Sequence, residues 1–325
     1  GASVAGVLLI LGVGIMLWMK PEENGVWEGE KTVEPGIGQV VLTLGDGESM
    51  PLKRDTNRLI FGGTMLQVRN ERGTLVYSRI KSKEASEKIV YNTLTVPVRE
   101  RFQLVLADGT KVFLNSGSEM RYPERFGKAR REVFLKGEAW FEVAKDSARE
   151  FWVHAGAMDV KVLGTSFNVK AYERLETVAT TLVEGSVEVA CAGKSFQIVP
   201  GEQFVYDKNN RVMDVRMVDT ESYVSWKDGY YKFRQTTLEE IMETLSVWYG
   251  LNVFYVNESA KQVEFTGKVK RYEDARMLLD KFEQTGDVVF DIKGNNVFIT
   301  IKQKKPFARE WNSFLVKARG MVWQS

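Results

Sequence analysis

The sequence predicts a mostly β protein with α+β character. It has an N-terminal transmembrane helix, an all-β region built as a sandwich or a solenoid-like stack, and a small C-terminal βαββαβ unit. Three observations predict this. Residues 159–207 read as four or five short strands, punctuated by Glu184-Gly185 and Pro200-Gly201. Two apolar stripes with helical spacing lie among strand-like runs in residues 230–301. Residues 1–19 carry no charged side chain.

Trp18 stands near the end of that uncharged run and Lys20 follows it. A helix of this length, at about 1.5 Å per residue, nearly crosses a hydrocarbon core of about 30 Å. The run lacks the basic leader and small-residue cleavage site of a secretory signal. Residues 1–20 therefore read as a membrane span, and residues 21–90 as a linker with the first strands. Asp46-Gly47 sits between apolar runs, which is a hairpin signal. The same design returns around Asp108-Gly109. Residues 81–88 form a charged loop.

Residues 91–225 form the all-β region. Val133, Leu135, Ala139, Phe141 and Val143 alternate about an expected turn at Lys136-Gly137. Trp140 and Trp152 fall within alternating strands and are expected in the core. Val160 and Val162 share one parity, whereas Phe167, Val169 and Ala171 share the other. One extra residue is needed between them, and Gly164 is the expected bulge.

Residues 226–303 read in the order β-α-β-β-α-β-β, with a closing hairpin around Gly294-Asn295-Asn296. Thr237 with Glu240 makes a capping-box start, and Gly250 a stop. Leu238, Ile241, Met242, Leu245 and Trp248 form the first stripe; Ala275, Leu278, Leu279 and Phe282 form the second. Both helices are expected to cover one face of a single small sheet. In the tail, 304–325, Phe307, Trp311, Phe314, Leu315, Ala318 and Val322 share one helical face.

Several blocks resemble the FecR family: V-L-G-T-S-F-N-V at 162–169, T-T-L-V-E-G-S-V at 180–187 and P-G-E-Q at 200–203. The resemblance extends to residues 102–118 and 131–146, with Val98-Arg99 standing where members usually carry a Gly soon after the Pro. It implies a single-pass inner-membrane regulator of the Bacteroidetes type, with the bulk of the chain in the periplasm. Such a regulator, an anti-sigma factor, hears the N-terminal signalling domain of a TonB-dependent (SusC-like) outer-membrane transporter. It acts on a cytoplasmic ECF-type sigma factor through a segment before the span, which these residues do not contain. Residues 226–303 resemble the secretin/TonB short N-terminal (STN) domain, which implies a partner-binding surface there. Some family members cut themselves at a Gly-Thr bond in the V-L-G-T motif. That makes Gly164-Thr165 the candidate self-cleavage bond, through attack of the Thr165 hydroxyl on the Gly164 carbonyl.

Other function classes find little support. The net charge of +2 does not suit a nucleic-acid binder. One cysteine, Cys191, and one histidine, His154, give neither an internal disulfide nor a Cys/His zinc site. Cys191 reads as a small buried hydrophobe and His154 as part of a strand. No P-loop, H-E-x-x-H or G-x-S-x-G is present, and the G-I-G at 36–38 lacks a third Gly. No catalytic residue beyond the self-cleavage pair, no cofactor and no metal is expected. The eight tryptophans keep one other class open: an envelope carbohydrate-binding or assembly module on a membrane anchor.

Overall fold

The computed structural model describes residues 38–53, 58–62, 66–71, 74–79, 89–271, 274–284 and 287–302. The expected span at 1–20, the loop at 81–88 and the tail at 304–325 lie outside them. Among the described residues no helix is long and apolar enough to cross a membrane.

Nine short strands come first: β1 (Val40–Thr43), β2 (Ser49–Leu52), β3 (Arg58–Gly62), β4 (Leu66–Glu71), β5 (Thr74–Arg79), β6 (Tyr91–Val96), β7 (Phe102–Val105), β8 (Lys111–Leu114) and β9 (Ser118–Pro123). The twelve-residue β10 (Arg131–Glu142) follows. Then come β11 (Phe151–Ala155), β12 (Met158–Val162), β13 (Ser166–Ala171), β14 (Thr177–Glu184), β15 (Val187–Cys191), β16 (Lys194–Ile198), β17 (Glu202–Asp207) and β18 (Val212–Met217). They make two sheets around one core. One sheet runs β2-β1-β6-β9-β10-β11-β12-β15-β16. The other runs β3-β4-β5-β7-β8-β10-β13-β14-β17-β18. Leu42, Leu94 and Val133 from the first sheet meet Leu104, Phe141 and Phe167 from the second. The region is thus a two-layer β structure.

Both Asp-Gly hairpins form as expected. Gly47 and Gly109 adopt φ of 93° and 89°, a region open to glycine. Asp46 and Asp108 each accept from the backbone N–H two residues on, at 3.0 Å.

Lys136-Gly137 is not a turn. β10 runs straight through it and passes from one sheet to the other: residues before Gly137 pair with β9 and β11, residues from it onward with β8 and β13. Gly137 has φ of 104°, and a Cβ there would stand 2.7 Å from Ser118 Cα. Turn chemistry and corner chemistry both ask for glycine, so the sequence does not separate them.

The parity switch after Val162 also has a different cause. β12 and β13 are separate strands in opposite sheets, and Leu163-Gly164-Thr165 is the crossing between them. The register shift that exists falls at Ser166/Phe167 against β14. The buried Arg131 pins this corner. Its guanidinium donates to Asp108 at 2.8 Å and to the carbonyls of Ala144, Arg149 and Leu163 at 2.8, 2.9 and 3.4 Å.

A connector of α1 (Thr220–Val224) and a 3-10 turn (Ser225–Asp228) leads into the C-terminal module. The module comprises β19 (Tyr230–Thr237), α2 (Leu238–Tyr249), β20 (Asn252–Tyr255), β21 (Glu264–Lys270), α3 (Ala275–Gln284), β22 (Val288–Lys293) and β23 (Asn296–Ile301). Thr237 caps α2 by accepting from the Glu240 N–H at 3.3 Å, and Gly250 ends it with φ of 67°. Every residue of both predicted stripes is buried.

The seven elements follow the order expected, but the expected single sheet is instead two. β19 pairs with β21, while β20 lies parallel to β23, which also pairs with β22. β20 takes a partner more than forty residues away (Asn252 with Asn296), and no local sequence signal announces that pairing.

Gly137→Ala should lower stability by about 2–4 kcal/mol, combining positive φ with a backbone collision. Urea denaturation of the purified chain checks this; an unchanged midpoint would remove the corner from the account.

Candidate functional site

Gly164 approaches the chain closely at the sheet crossing. A Cβ there would lie 2.8 Å from Lys145 Cα and 2.6 Å from its Cγ. That contact alone accounts for the glycine. Its φ lies outside the positive range, so the bond stores no left-handed strain. The buried Thr165 hydroxyl donates to the Ser186 carbonyl at 3.0 Å. The Thr165 carbonyl accepts from the Val143 N–H at 3.0 Å. A cavity of about 210 Å³ adjoins the bond, with Lys111, Glu142, Lys145 and Glu184 in its lining. An acyl shift needs the hydroxyl on the Gly164 carbonyl carbon, so the Ser186 bond must first break.

The densest polar chemistry lies elsewhere, where the module meets the β region. Glu138 and Trp140 point out of β10 because Ala139 and Phe141 point in. Glu138 accepts from the Asn115 amide at 2.7 Å and from the Asn168 amide at 2.9 Å. The Trp226 indole N–H donates to Asn168 at 3.2 Å. Arg271, fully buried at the end of β21, donates to Asn115 and, at 2.8 Å, to the Trp226 carbonyl. Its guanidinium lies 3.5 Å from the Trp248 ring centroid. Glu138 and Arg271 are thus joined through Asn115, a buried charge on each side of the junction.

Backbone groups close the same junction. Ser116 Oγ donates to the Val247 carbonyl at 3.1 Å. The Tyr172 hydroxyl donates to the Ser116 carbonyl at 2.8 Å, and burial pushes that phenol well above its ordinary range. Val247 packs with Tyr172 and Leu175, while Trp140 sits in the module's core. α2 is therefore buried on two faces, one toward its own sheets and one toward the β region. Beside the junction opens a cleft of about 370 Å³, spanned by Lys170–Glu243 at 3.5 Å and Arg216–Glu240 at 3.6 Å.

The halves joined here match two family profiles, "FecR protein" over residues 92–188 and "FecR, C-terminal" over residues 230–299. The chain belongs to the FecR family. Two crystal structures of a candidate anti-sigma factor from Parabacteroides distasonis ATCC 8503, at 1.65 and 2.50 Å resolution, are similar to it. Each is 27% identical; the first has a TM-score of 0.60 over 65% of this chain and 99% of that one. The second has 0.59 over 66% and 100%. No curated protein matches.

In this FecR chain the Val98-Arg99 departure acquires a meaning. Arg99 has φ of 66°, a conformation that favours glycine. Its N–H donates to Ser116 Oγ at 2.8 Å, and its guanidinium stands 5.5 Å from the Tyr249 ring centroid. The Arg99 side chain reaches across the junction to α2.

The remaining candidates are placed as follows. Cys191 is buried in the β core. Trp140 is buried, though against the module, and Trp152 is half-buried on the outward face of its sheet. There Trp152 and His154 stack at 14° and 6.2 Å, and His154 stacks on Phe134 at 25° and 4.9 Å. His154 Nδ1 meets Asp159 at 2.7 Å. Lys161 also lies over the Trp152 ring, 5.6 Å from its centroid. No group of three or more His, Cys, Asp or Glu among the described residues could hold a metal. On the module, Phe254, Val256 and Val289 are exposed on or beside the outer face of the β20-β23-β22 sheet, where Phe254 stacks on Phe298 at 5.1 Å.

The junction residues escaped sequence reading, although Trp140 carried a signal. A large apolar side chain on the outward parity of β10 implies a covered outer face. Arg271→Met should destabilise the chain by about 3 kcal/mol, because Glu138 is left buried without its counter-charge. Arg271→Met with Glu138→Gln should be milder than the sum of the singles by at least about 1 kcal/mol. Additive losses in a urea double-mutant cycle would separate the two charges. Intact mass spectrometry of the folded chain should find no species ending at Gly164; such a fragment would show the Thr165 hydroxyl reaching a geometry other than this one.

Proposed function

We propose that this chain is the sensing part of a single-pass inner-membrane anti-sigma regulator with its bulk in the periplasm. The likeness to the candidate anti-sigma factor, over 99% of that chain's length, carries the reading. The transporter side is the N-terminal signalling domain of a TonB-dependent, SusC-like outer-membrane protein. The output side is an ECF-type sigma factor, reached through a cytoplasmic segment outside these residues.

The C-terminal module, read as STN-like, is the receiving part. Its outer sheet face supports this role, because Phe254 (48% exposed) and Val256 (62%) are large apolar side chains in solvent. Exposed apolar groups gathered on one face mark interaction surfaces. Trp226, Arg271 and α2 tie the module to the β region through buried hydrogen bonds. A partner seated on the module would therefore act on both halves as one body.

A pull-down from solubilised envelopes with this chain as bait tests the reading. A TonB-dependent transporter should be recovered, and lost when its N-terminal signalling domain is deleted. Phe254→Asp should cut recovery at least about tenfold, as hot-spot truncations do, while leaving the melting temperature near wild type. Recovery of polysaccharide or of unrelated envelope proteins alone would instead favour the carbohydrate-binding or assembly reading.

A further inference from the structure

β18 is the outermost strand of its sheet: it pairs with β17, and no other described strand pairs with it. Its burial is low, with Val212 56% and Met217 71% exposed. Natural edge strands are usually blunted by proline, lysine, bulges or a covering element. This one has no proline or lysine, and its ladder to β17 is regular over six residue pairs. What distinguishes it is its sequence, Val212-Met213-Asp214-Val215-Arg216-Met217-Val218.

Set antiparallel against a second copy of itself about Val215, every position meets a complement. Val212 faces Val218, Met213 faces Met217, Asp214 faces Arg216 and Val215 faces Val215. The backbone supports the same register. The Val218 N–H donates to the Gly201 carbonyl at 2.9 Å, in line with the β17–β18 ladder. Hydrogen bonding alternates along an antiparallel strand. The even-numbered residues therefore bond to β17, and Met213, Val215 and Met217 turn their N–H and C=O groups to the free edge. In the self-paired register those residues pair with one another, so the outward donors and acceptors meet. The side chains sort as well. Val215 and Met213 lie opposite Phe204 and Tyr206 and pack on the β core, so the partner's Met217 and Met213 would extend that apolar layer. Asp214 and Arg216 lie on the other face. Arg216 also donates to Gln203 at 3.1 Å and lies 3.6 Å from Glu240, which holds it beside the edge.

We propose that β18 is a self-complementary edge through which two copies of this chain pair, antiparallel, about Val215. The partner is a second copy because the reversed sequence of β18 itself supplies Asp opposite Arg at both positions and Met opposite Met at both others. The inference is independent of the transporter and sigma-factor reading.

The test is register-specific cross-linking of the full chain in detergent. Cys191→Ala removes the one native thiol. Val215→Cys is then added. Across the two-fold axis the paired Cα atoms would lie about 5.5 Å apart, within disulfide range. Val212→Cys is the control, because two copies of residue 212 would be about 20 Å apart at roughly 3.3 Å per residue. Oxidation should link Val215→Cys chains into covalent dimers and leave Val212→Cys chains monomeric. A mixture of Val212→Cys and Val218→Cys chains should form the mixed dimer. Sedimentation of the uncross-linked chain should show Asp214→Arg and Arg216→Asp each weakening the dimer by roughly tenfold or more, and the double swap restoring it. Dimers made by the apolar N-terminal segment alone would link residues 215 and 212 equally and ignore the charge swap. That result, or failure of the double swap to restore pairing, or a chain that is monomeric at every concentration, would overturn the proposal.

Discussion

Everything in this molecule hangs on one strand changing sheets. β10 begins between β9 and β11 in one layer and ends between β8 and β13 in the other. A strand can do this only where its backbone turns a corner against a neighbour, and Gly137 lies too close to Ser118 for any Cβ. The consequence reaches both faces. Val133, Leu135, Ala139 and Phe141 feed one core. Glu138 and Trp140 are delivered to the outside, where bare sheet would leave them in water. The C-terminal module is the cover, and Trp140 is counted in its core rather than in that of the β layers.

Covering Glu138 has an electrostatic cost, since a buried carboxylate needs hydrogen bonds and a counter-charge. The chain meets this with two asparagine amides and with Arg271, which lies 133 positions further along and beyond the connector. Such an arrangement favours one relative placement of the two halves, because the charges are satisfied only when the halves are seated. Arg99 makes the same point through the backbone. It holds a conformation suited to glycine, and its guanidinium lies near Tyr249 on α2. On the proposed reading, in which the C-terminal module receives the signal, such a connection would carry an event there to the rest of the chain.

The sequence showed local physics well and long-range physics poorly. Period-2 alternation, Asp-Gly turns and the Thr237 and Gly250 caps are local, and each formed where expected. So did the buried stripes of α2 and α3, because a stripe reports only that something apolar faces it. The second buried face of α2, at Val247, could not be read this way. It depends on Tyr172, Leu175 and Ser116, far away in sequence. Glycine was the most ambiguous letter. At residue 137 it marks a corner rather than a turn, and at residue 164 a close approach to Lys145 rather than an in-strand bulge. Both readings require the absence of a Cβ, so the residue type alone does not choose.

The β18 edge shows how sequence and fold inform each other in the opposite direction. Read alone, Val-Met-Asp-Val-Arg-Met-Val is an ordinary alternating run, and its reversal symmetry means nothing until one side of the strand is known to be open. Among the described residues the fold supplies that, since only β17 pairs with it, and the fold also fixes the consequence. A two-fold axis through paired residues 215 stands perpendicular to the sheet. The outward faces of the two copies would then look the same way, and each outward face carries its own module across the cleft lined by Arg216 and Glu240. The modules would therefore stand side by side on one surface of a continuous sheet, with their β20-β23-β22 faces held in a fixed pair. A rigid junction in each copy makes such a pairing mechanically meaningful, since one module could not turn without carrying its β layers, and through β18 the partner's layers, with it.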